Sequence, residues 1–170
     1  MAESYFILGG ARSGKSRRGL ELAEQIGTQR AYIATAQALD AEMADRIAHH
    51  KAERGSGWQT IEAPLDLAPA LQQATADCDV CLIDCLTLWL SNLMHHQRDV
   101  EAETATLCDL IRHSEIPIIT ISNEVGLGLV PETPLGRAFR DAQGRLNQAV
   151  AAISDQVEFV AAGLPLKLKS

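Results

Sequence analysis

A glycine-rich segment near the amino terminus has the residue types and spacing of a phosphate-binding loop. It reads Gly9-Gly10-Ala11-Arg12-Ser13-Gly14-Lys15-Ser16, between an apolar run at 5–8 and a helical pattern at 17–26. Gly9 and Gly14 allow backbone dihedrals that a side chain would forbid, so successive N–H groups can turn towards a phosphate. The helix start adds partial positive charge, Lys15 can reach the β- and γ-phosphates, and the Ser16 hydroxyl is a Mg²⁺ ligand. The complete motif predicts a P-loop that binds a nucleoside triphosphate.

An acidic residue ends one of the apolar runs. Asp84 follows the run at 80–83, which is the position of the carboxylate that helps to hold Mg²⁺ in P-loop proteins. Asp is also a good N-cap for the helix expected from Leu86. We favour the magnesium role, because a P-loop requires an acidic partner for the metal.

Two adjacent histidines lie among cations in the segment His49-His50-Lys51-Ala52-Glu53-Arg54. Neighbouring helical residues project about 100° apart, so the two histidines cannot serve one site equally. The residues that share the apolar face with His50 are Met43, Ile47 and Arg54. An isolated histidine is weak evidence of a site. Arg46 and Arg54, one turn on either side, would however neutralise charge on a phosphate under attack, which makes His50 a candidate catalytic residue.

The cysteines form a weaker pattern. Cys78, Cys81 and Cys85 are spaced C-x2-C-x3-C, and Cys108 stands apart. The cluster coincides with an apolar run, and alternate side chains of a strand point to opposite faces, so these thiols would not converge on a metal. We interpret them as small buried hydrophobic residues.

Strands and helices alternate in the hydrophobic pattern. Strands are expected at 4–8, 31–35, 58–62, 79–84, 117–122 and 157–162, and the alternating tail 166–169 is compatible with an edge strand. Helices are expected at 17–26, 38–54, 65–74, 86–96, 100–113 and 135–154, with Pro69 able to split or bend the third. A loop rich in glycine and proline spans 124–134.

This alternation predicts an α/β fold with a mostly parallel sheet and helices on both faces. Ligands of such sheets bind beyond the carboxyl ends of the strands. The positions that fall there are Gly9–Ser16, Thr35, Ala36, Glu62, Asp84, 123–126 and Gly163. Repeats and linkers are lacking, so residues 1–170 are expected to form one nucleotide-binding catalytic domain.

Composition limits the function classes. The net charge of −7 argues against a nucleic-acid partner. No apolar run approaches the length of a membrane span. Because Met1–Ser4 lacks a basic signal-peptide region, we expect a cytoplasmic protein.

The chain resembles the bifunctional adenosylcobinamide kinase/adenosylcobinamide-phosphate guanylyltransferase family of cobalamin biosynthesis. The similarity runs nearly end to end and is most specific at the His-His-Lys-x-x-Arg and Asn-Glu-Val-Gly stretches. The matching segments are 9–16, 32–36, 46–54, 58–62, 84–93, 122–131 and 139–148.

The resemblance implies two reactions. Adenosylcobinamide takes a γ-phosphoryl group from ATP or GTP, and adenosylcobinamide phosphate then receives GMP from GTP through a GMP–histidine intermediate at His50. The implied nucleotide contacts are Gly9–Ser16, Ala34, Thr35, Ala36, Lys51, Ala52, Glu53, Arg54, Glu62 and Asp84. The resemblance also implies a RecA-like fold and a homotrimer, and the P-loop together with Asp84 predicts Mg²⁺ as cofactor.

Three other functions compete with this one. A small-molecule kinase without nucleotidyl transfer would not need His50. A GTPase switch would carry an Asn-Lys-x-Asp motif where this chain has Asn123-Glu124-Val125-Gly126. A RecA-like motor would need basic DNA-binding loops, whereas the loop at 124–134 is acidic to neutral.

Overall fold

The computed structural model describes residues 1–52 and 54–170 with their side chains, and residue 53 by its backbone alone. The strands are β1 (Ser4–Gly9), β2 (Arg30–Ala34), β3 (Trp58–Glu62), β4 (Val80–Asp84), β5 (Ile118–Asn123), β6 (Gln156–Ala161) and β7 (Leu164–Lys169). The helices are α1 (Lys15–Ile26), α2 (Ala41–Glu53), α3 (Leu67–Asp77), α4 (Leu86–His95), α5 (Val100–Arg112) and α6 (Pro134–Ile153). Every predicted element is present, with ends that differ by a few residues.

The seven strands form one sheet in the order β3-β2-β4-β5-β1-β6-β7. Strands β1 to β6 pair in parallel, and β7 pairs antiparallel with β6 at the edge. The predicted α/β class and the predicted edge strand are both confirmed. Because strands β1 to β6 are parallel, their carboxyl ends all lie at the same end of the sheet, the carboxyl edge.

Helices cover both faces of this sheet. Helix α1 packs on one face through a cluster that includes Ala23, Leu82 and Ile121. Helices α3 to α6 bury their apolar stripes on the other face, around Trp89 and Leu146. The strands are buried on both sides, which explains why β4 and β5 read as continuous apolar runs rather than as alternating ones.

Local signals explain where helices begin. The carboxylate of Asp40 accepts a hydrogen bond from the Met43 N–H at 2.7 Å, so α2 begins at Ala41 rather than at 38. Helix α3 begins at Leu67, which puts Pro69 in its first turn, where a missing N–H costs nothing. Pro69 therefore does not split the helix.

Helix α1 is held firmly against the sheet, and this fixes the residues at its amino end. A Cβ atom on Gly19 would lie 2.7 Å from Ile121 Cδ1 and 3.0 Å from Leu82 Cδ1, so a larger residue would require these side chains to shift. Arg18 donates from Nε and Nη2 to the two carboxylate oxygens of Glu158 on β6, both at 2.8 Å. These hydrogen bonds hold the pKa of Glu158 below its usual range.

The cysteines do not assemble into a cluster in the part of the chain that the structure describes. Cys81 is buried within β4, and Cys85 is buried directly after the end of that strand. Burial raises the pKa of the Cys85 thiol to about 11. No group of three or more metal-binding side chains is present among the described residues. Nor does any described helix combine the length and apolar character needed to span a membrane.

Candidate active site

The P-loop connects β1 to α1 at the carboxyl edge of the sheet. Lys15 is only 9% exposed, and its Nζ donates to the Gly10 carbonyl at 3.1 Å, so the ammonium folds back over the loop. The Gly163 N–H donates to the Ser13 carbonyl at 2.8 Å, which ties the β6–β7 turn to the loop. Asn123, at the end of β5, pairs with Gly9.

The two end glycines of the loop are needed for different reasons. Gly14 has φ of 96°, in the left-handed region that favours glycine, as predicted. The dihedral argument is wrong for Gly9, whose backbone is not left-handed. At Gly9 there is no room for a side chain, because a Cβ atom would lie 2.7 Å from the Val160 carbonyl oxygen and 2.4 Å from Ser13 Oγ.

A cavity of about 310 Å³ opens beside the P-loop, between the sheet edge and α2. Its volume is at the lower end of the range for small-molecule sites. Ser16 brings the P-loop to its wall, and Asp84 and Glu62 reach it from the ends of β4 and β3. The full lining is Ser16, Leu20, Tyr32, Ala34, Ala36, Met43, Arg46, Ile47, His50, Lys51, Arg54, Thr60, Glu62, Asp84 and Leu88.

Charge in this cavity differs from that of the whole molecule. Three cations line it, Arg46, Lys51 and Arg54, against the carboxylates Glu62 and Asp84. The chain itself carries a net charge of −7. Local positive charge in a concave site attracts an anionic ligand, so the arrangement suits a nucleotide.

The register of the strands explains why the acidic residues converge. Ala34 pairs with Asp84 on one side and with Glu62 on the other, so the ends of β2, β3 and β4 are level. Asp84 Oδ2 accepts a hydrogen bond from the Tyr32 hydroxyl at 3.0 Å. Burial and the Asp84 charge raise the pKa of Tyr32, so this hydroxyl stays protonated and acts as the donor.

Arg54 is the C-cap of α2 and is 9% exposed. Its Cζ lies 3.7 Å from the centroid of the Tyr32 ring, and its Nη2 donates to Thr60 Oγ1 at 3.0 Å. Burial lowers the pKa of Arg54, and its interactions with Tyr32 and Asp84 oppose that shift. A guanidinium remains cationic in proteins, so Arg54 is a fixed positive charge in the cavity wall.

Helix α2 contributes the candidate nucleophile. His50 lines the cavity together with Met43 and Ile47, as the helical spacing predicts, whereas the described lining does not include His49. The two imidazole rings are 6.4 Å apart. Both histidines are exposed, Met43 and Ile47 are half-buried, and Arg54 at the end of the helix is buried, so the middle of the described face is less enclosed than its apolar pattern indicates. Arg46, which also lines the cavity, pairs with Glu42 at 3.3 Å, and both side chains are exposed.

Several expected nucleotide contacts lie outside the cavity. Thr35 is fully buried; its Oγ1 donates to the Cys85 carbonyl at 2.7 Å and accepts from the Cys85 N–H at 2.9 Å. The Thr35 side chain thus joins the ends of β2 and β4, while its neighbours Ala34 and Ala36 line the cavity. Ala52 is exposed away from this lining, and the side chain of Glu53 lies outside the described residues.

Some cavity residues are absent from the sequence-based set. Tyr32 is the most informative, because it contacts both Asp84 and Arg54. A signal for it exists, since Tyr32 is two residues before Ala34 on β2 and therefore points to the same face of the sheet. The other residues of this kind are Leu20, Thr60 and Leu88.

A P-loop at the carboxyl edge of a mostly parallel sheet, with the Asp84 carboxylate at the same edge on β4, two strands away, defines the chain as a P-loop nucleotide-binding protein of RecA-like fold. The fold is similar to that of a KaiC-like protein of Pyrococcus horikoshii. The TM-score is 0.53 at 11% identity, over 92% of this chain and 70% of that one. At this identity the likeness concerns the fold alone.

Residues 5–168 match the family model described as cobinamide kinase / cobinamide phosphate guanyltransferase, and the chain belongs to that family. A curated relative is the bifunctional adenosylcobalamin biosynthesis protein CobP of Pseudomonas aeruginosa, 46% identical over 96% of this chain and 95% of the relative. Another is the bifunctional protein CobU of Salmonella typhimurium, 37% identical over 96% of this chain and 98% of the relative. The resemblance stated from the motifs is thereby confirmed.

Proposed function

We propose that this protein carries out both reactions of its family in one cavity. It phosphorylates the aminopropanol hydroxyl of adenosylcobinamide with ATP or GTP, and then transfers GMP from GTP to the phosphorylated product. The observation that supports a shared cavity is its lining, which joins Ser16 and Asp84 of the phosphoryl-transfer machinery to His50 and Lys51 of α2.

For phosphoryl transfer, positioned charge is the main requirement. Lys15 and the backbone N–H groups of the P-loop would hold the β- and γ-phosphates. The Ser16 hydroxyl and the Asp84 carboxylate are oxygen donors that both line the cavity, which is the ligand chemistry that Mg²⁺ prefers. When bound, Mg²⁺ neutralises charge on the phosphates. Ser16 and Asp84 would be the protein groups that hold the ion, which in proteins is usually bound by few side chains.

For GMP transfer, His50 would act as the nucleophile. An imidazole nitrogen attacks the α-phosphorus of GTP, a P–N bond forms, and the bond to the pyrophosphate oxygen breaks with its electron pair leaving on pyrophosphate. A phosphate oxygen of adenosylcobinamide phosphate then attacks the same phosphorus, and the electron pair of the P–N bond returns to His50. The histidine thus divides one difficult displacement into two easier ones.

The two cations that follow His50 on α2 differ in how they are held. Lys51 is exposed at the cavity mouth, where its flexible side chain can follow the phosphates of GTP. Arg54 is fixed against Tyr32 and offers a preorganised charge. Such charges stabilise the negative charge that develops on an α-phosphoryl group during displacement.

We place the corrinoid against the loop that follows β5. Leu127 is 81% exposed and Leu129 is 97% exposed, and a run of apolar side chains in water suits the apolar surface of a large ligand. Replacing both leucines by serine is expected to raise the KM for adenosylcobinamide while the KM for the nucleotide stays the same. Steady-state kinetics with each substrate varied in turn would measure this.

A matched control is Leu168→Ser. Leu168 is also an exposed leucine, but β7 residues near Lys169 pair with the amino end of β6, at the sheet edge opposite the cavity. Equal changes in the two KM values of the loop variant, or the same change in the control, would count against this placement.

Two labels test the proposed function on the wild-type protein. With γ-labelled GTP, label should move to adenosylcobinamide and leave the protein unlabelled. With α-labelled GTP, label should remain on the protein after denaturation, and it should be released when adenosylcobinamide phosphate is added before denaturation. Transfer of the γ-label without retention of the α-label would point instead to a small-molecule kinase without nucleotidyl transfer.

The remaining parts of the proposal concern the domain organisation, the oligomeric state and the location of the protein. We propose that residues 1–170 act as one catalytic domain, that the protein assembles as a homotrimer, and that it works in the cytoplasm. Light scattering on the purified protein measures the assembly state directly.

A further inference from the structure

Tyr32 lines the cavity and contacts two residues with different proposed roles, Asp84 for the metal ion and Arg54 for the phosphates of the nucleotide. Its hydroxyl donates to Asp84 Oδ2 at 3.0 Å, and its ring lies under the guanidinium of Arg54 with Cζ 3.7 Å from the ring centroid. Asp84 ends β4, and Arg54 caps α2, the helix that carries His50. One side chain therefore contacts both the strand with the carboxylate and the helix with the histidine.

The chemistry of the two groups fixes the direction of the hydrogen bond between Tyr32 and Asp84. The phenolic hydroxyl has a proton to donate, and the ionised carboxylate can only accept it, at 3.0 Å. A charge-assisted hydrogen bond to one carboxylate oxygen restricts the rotation of the carboxyl group. Partners of this kind orient metal-binding carboxylates, and their loss weakens metal binding.

The aromatic ring of Tyr32 is held in place by side chains of the neighbouring strand β3 and of β2. The Trp58 ring meets the Tyr32 ring edge-on at 6.1 Å, and the Arg30 guanidinium lies 5.2 Å from the centroid of Trp58. Tyr32 and Trp58 are thus held by neighbouring strands whose residues 30 and 58 are paired in register. A stacked cation on such a platform loses little further freedom when it contacts a phosphate.

We infer that Tyr32 is a positioning residue for both reactions, an inference that rests on the proposed function of the cavity. Its hydroxyl sets the Asp84 carboxylate for the divalent cation, and its ring sets Arg54 for the phosphates of the nucleotide. The two roles belong to different parts of one side chain, so they can be separated by substitution.

Tyr32→Phe removes the hydroxyl and keeps the ring. We expect affinity for Mn²⁺, used as a spectroscopic substitute for Mg²⁺ and measured by electron paramagnetic resonance with a non-hydrolysable GTP analogue, to fall about 10-fold. Binding of the analogue in EDTA should stay unchanged. Tyr32→Leu also removes the platform of Arg54, so binding of the analogue in EDTA should weaken as well.

Tyr5→Phe is the matched control. The chain has two tyrosines, and the Tyr5 hydroxyl donates to Glu3 near the amino end of β1, at the sheet edge opposite the cavity. A merely structural role for Tyr32 would lower the thermal midpoint of its variants without changing Mn²⁺ affinity. That result, or equal Mn²⁺ affinities of Tyr32→Phe and Tyr5→Phe, would overturn the inference.

Asp84→Asn separates this inference from the proposed function. If Asp84→Asn weakens Mn²⁺ binding and Tyr32→Phe does not, the metal role of Asp84 is supported and the role of Tyr32 is wrong. If Asp84→Asn leaves Mn²⁺ binding unchanged, both are wrong. Weakening in both variants, with the larger loss in Asp84→Asn, is the expected result.

Discussion

Replacement of Lys15 by alanine is expected to reduce phosphoryl transfer to adenosylcobinamide by about 100- to 1,000-fold, the usual cost of losing one preorganised group that stabilises transition-state charge. The ammonium of Lys15 is nearly buried in the P-loop, at the point where the loop enters α1. No other described cation of the loop is placed in this way, since Arg12 is exposed. Nucleotide binding should weaken in parallel, because the same charge faces the ground-state phosphates.

The same variant also tests whether both reactions share a cavity. If the β- and γ-phosphates of GTP rest on the P-loop during GMP transfer, Lys15→Ala should reduce the covalent labelling of the protein by α-labelled GTP as strongly as it reduces phosphorylation. Normal labelling together with lost phosphorylation would indicate two separate nucleotide pockets.

Arg17→Ala is the control for this experiment. Arg17 is a cation two residues further along α1, but its side chain is 85% exposed and pairs with Glu21 at 2.9 Å on the helix surface. An exposed pair of this kind contributes little to stability, and its loss should leave both reactions near wild type. If Lys15→Ala behaved like Arg17→Ala, the P-loop assignment would be wrong.

The fold was accessible from the sequence because its signals are local. Strand β5 is a β-branched run bounded by Pro117, and helix α6 has an apolar stripe of helical period bounded by Thr133 and Ser154. Alternation of such elements leaves few arrangements open, since parallel crossovers are almost always right-handed. The remaining errors are at helix ends, where single caps such as Asp40 decide the first residue.

Part of the site followed from the same reasoning. The rule that ligands bind at the carboxyl ends of parallel strands brings Ser16, Glu62 and Asp84 to one edge, and all three line one cavity. Tyr32 was missed because its importance comes from contacts with residues 84 and 54, far away in the sequence. Thr35 was included among the nucleotide contacts, but its buried hydroxyl bonds to the Cys85 backbone, a partner 50 residues away that the sequence pattern does not show.

His50 is the residue whose removal should separate the two reactions. His50→Ala is expected to abolish GMP transfer and to leave phosphorylation of adenosylcobinamide largely intact, because the kinase step moves the γ-phosphoryl group directly to a hydroxyl. The alanine keeps the helix, since it is the best helix former and α2 is exposed along most of its length. A change in stability is therefore not expected to obscure the result.

The adjacent histidine provides the matched control. His49 is also exposed on α2 but projects about 100° away from His50, and the described lining of the cavity does not include it. His49→Ala should retain most of the GMP transfer. Because the two variants remove the same side chain from neighbouring positions, a difference between them reports on direction towards the cavity rather than on helix stability.

The chemistry of the covalent label identifies the bond. A phosphoramidate on histidine is labile in acid and stable in base, whereas a phosphate ester on serine is not labile in acid. Protein labelled with α-labelled GTP should therefore lose its label at low pH and keep it at high pH, and His50→Ala should take up none. Label that persists in His50→Ala, or that survives acid, would exclude His50 as the nucleophile and leave it a role only in lining the cavity.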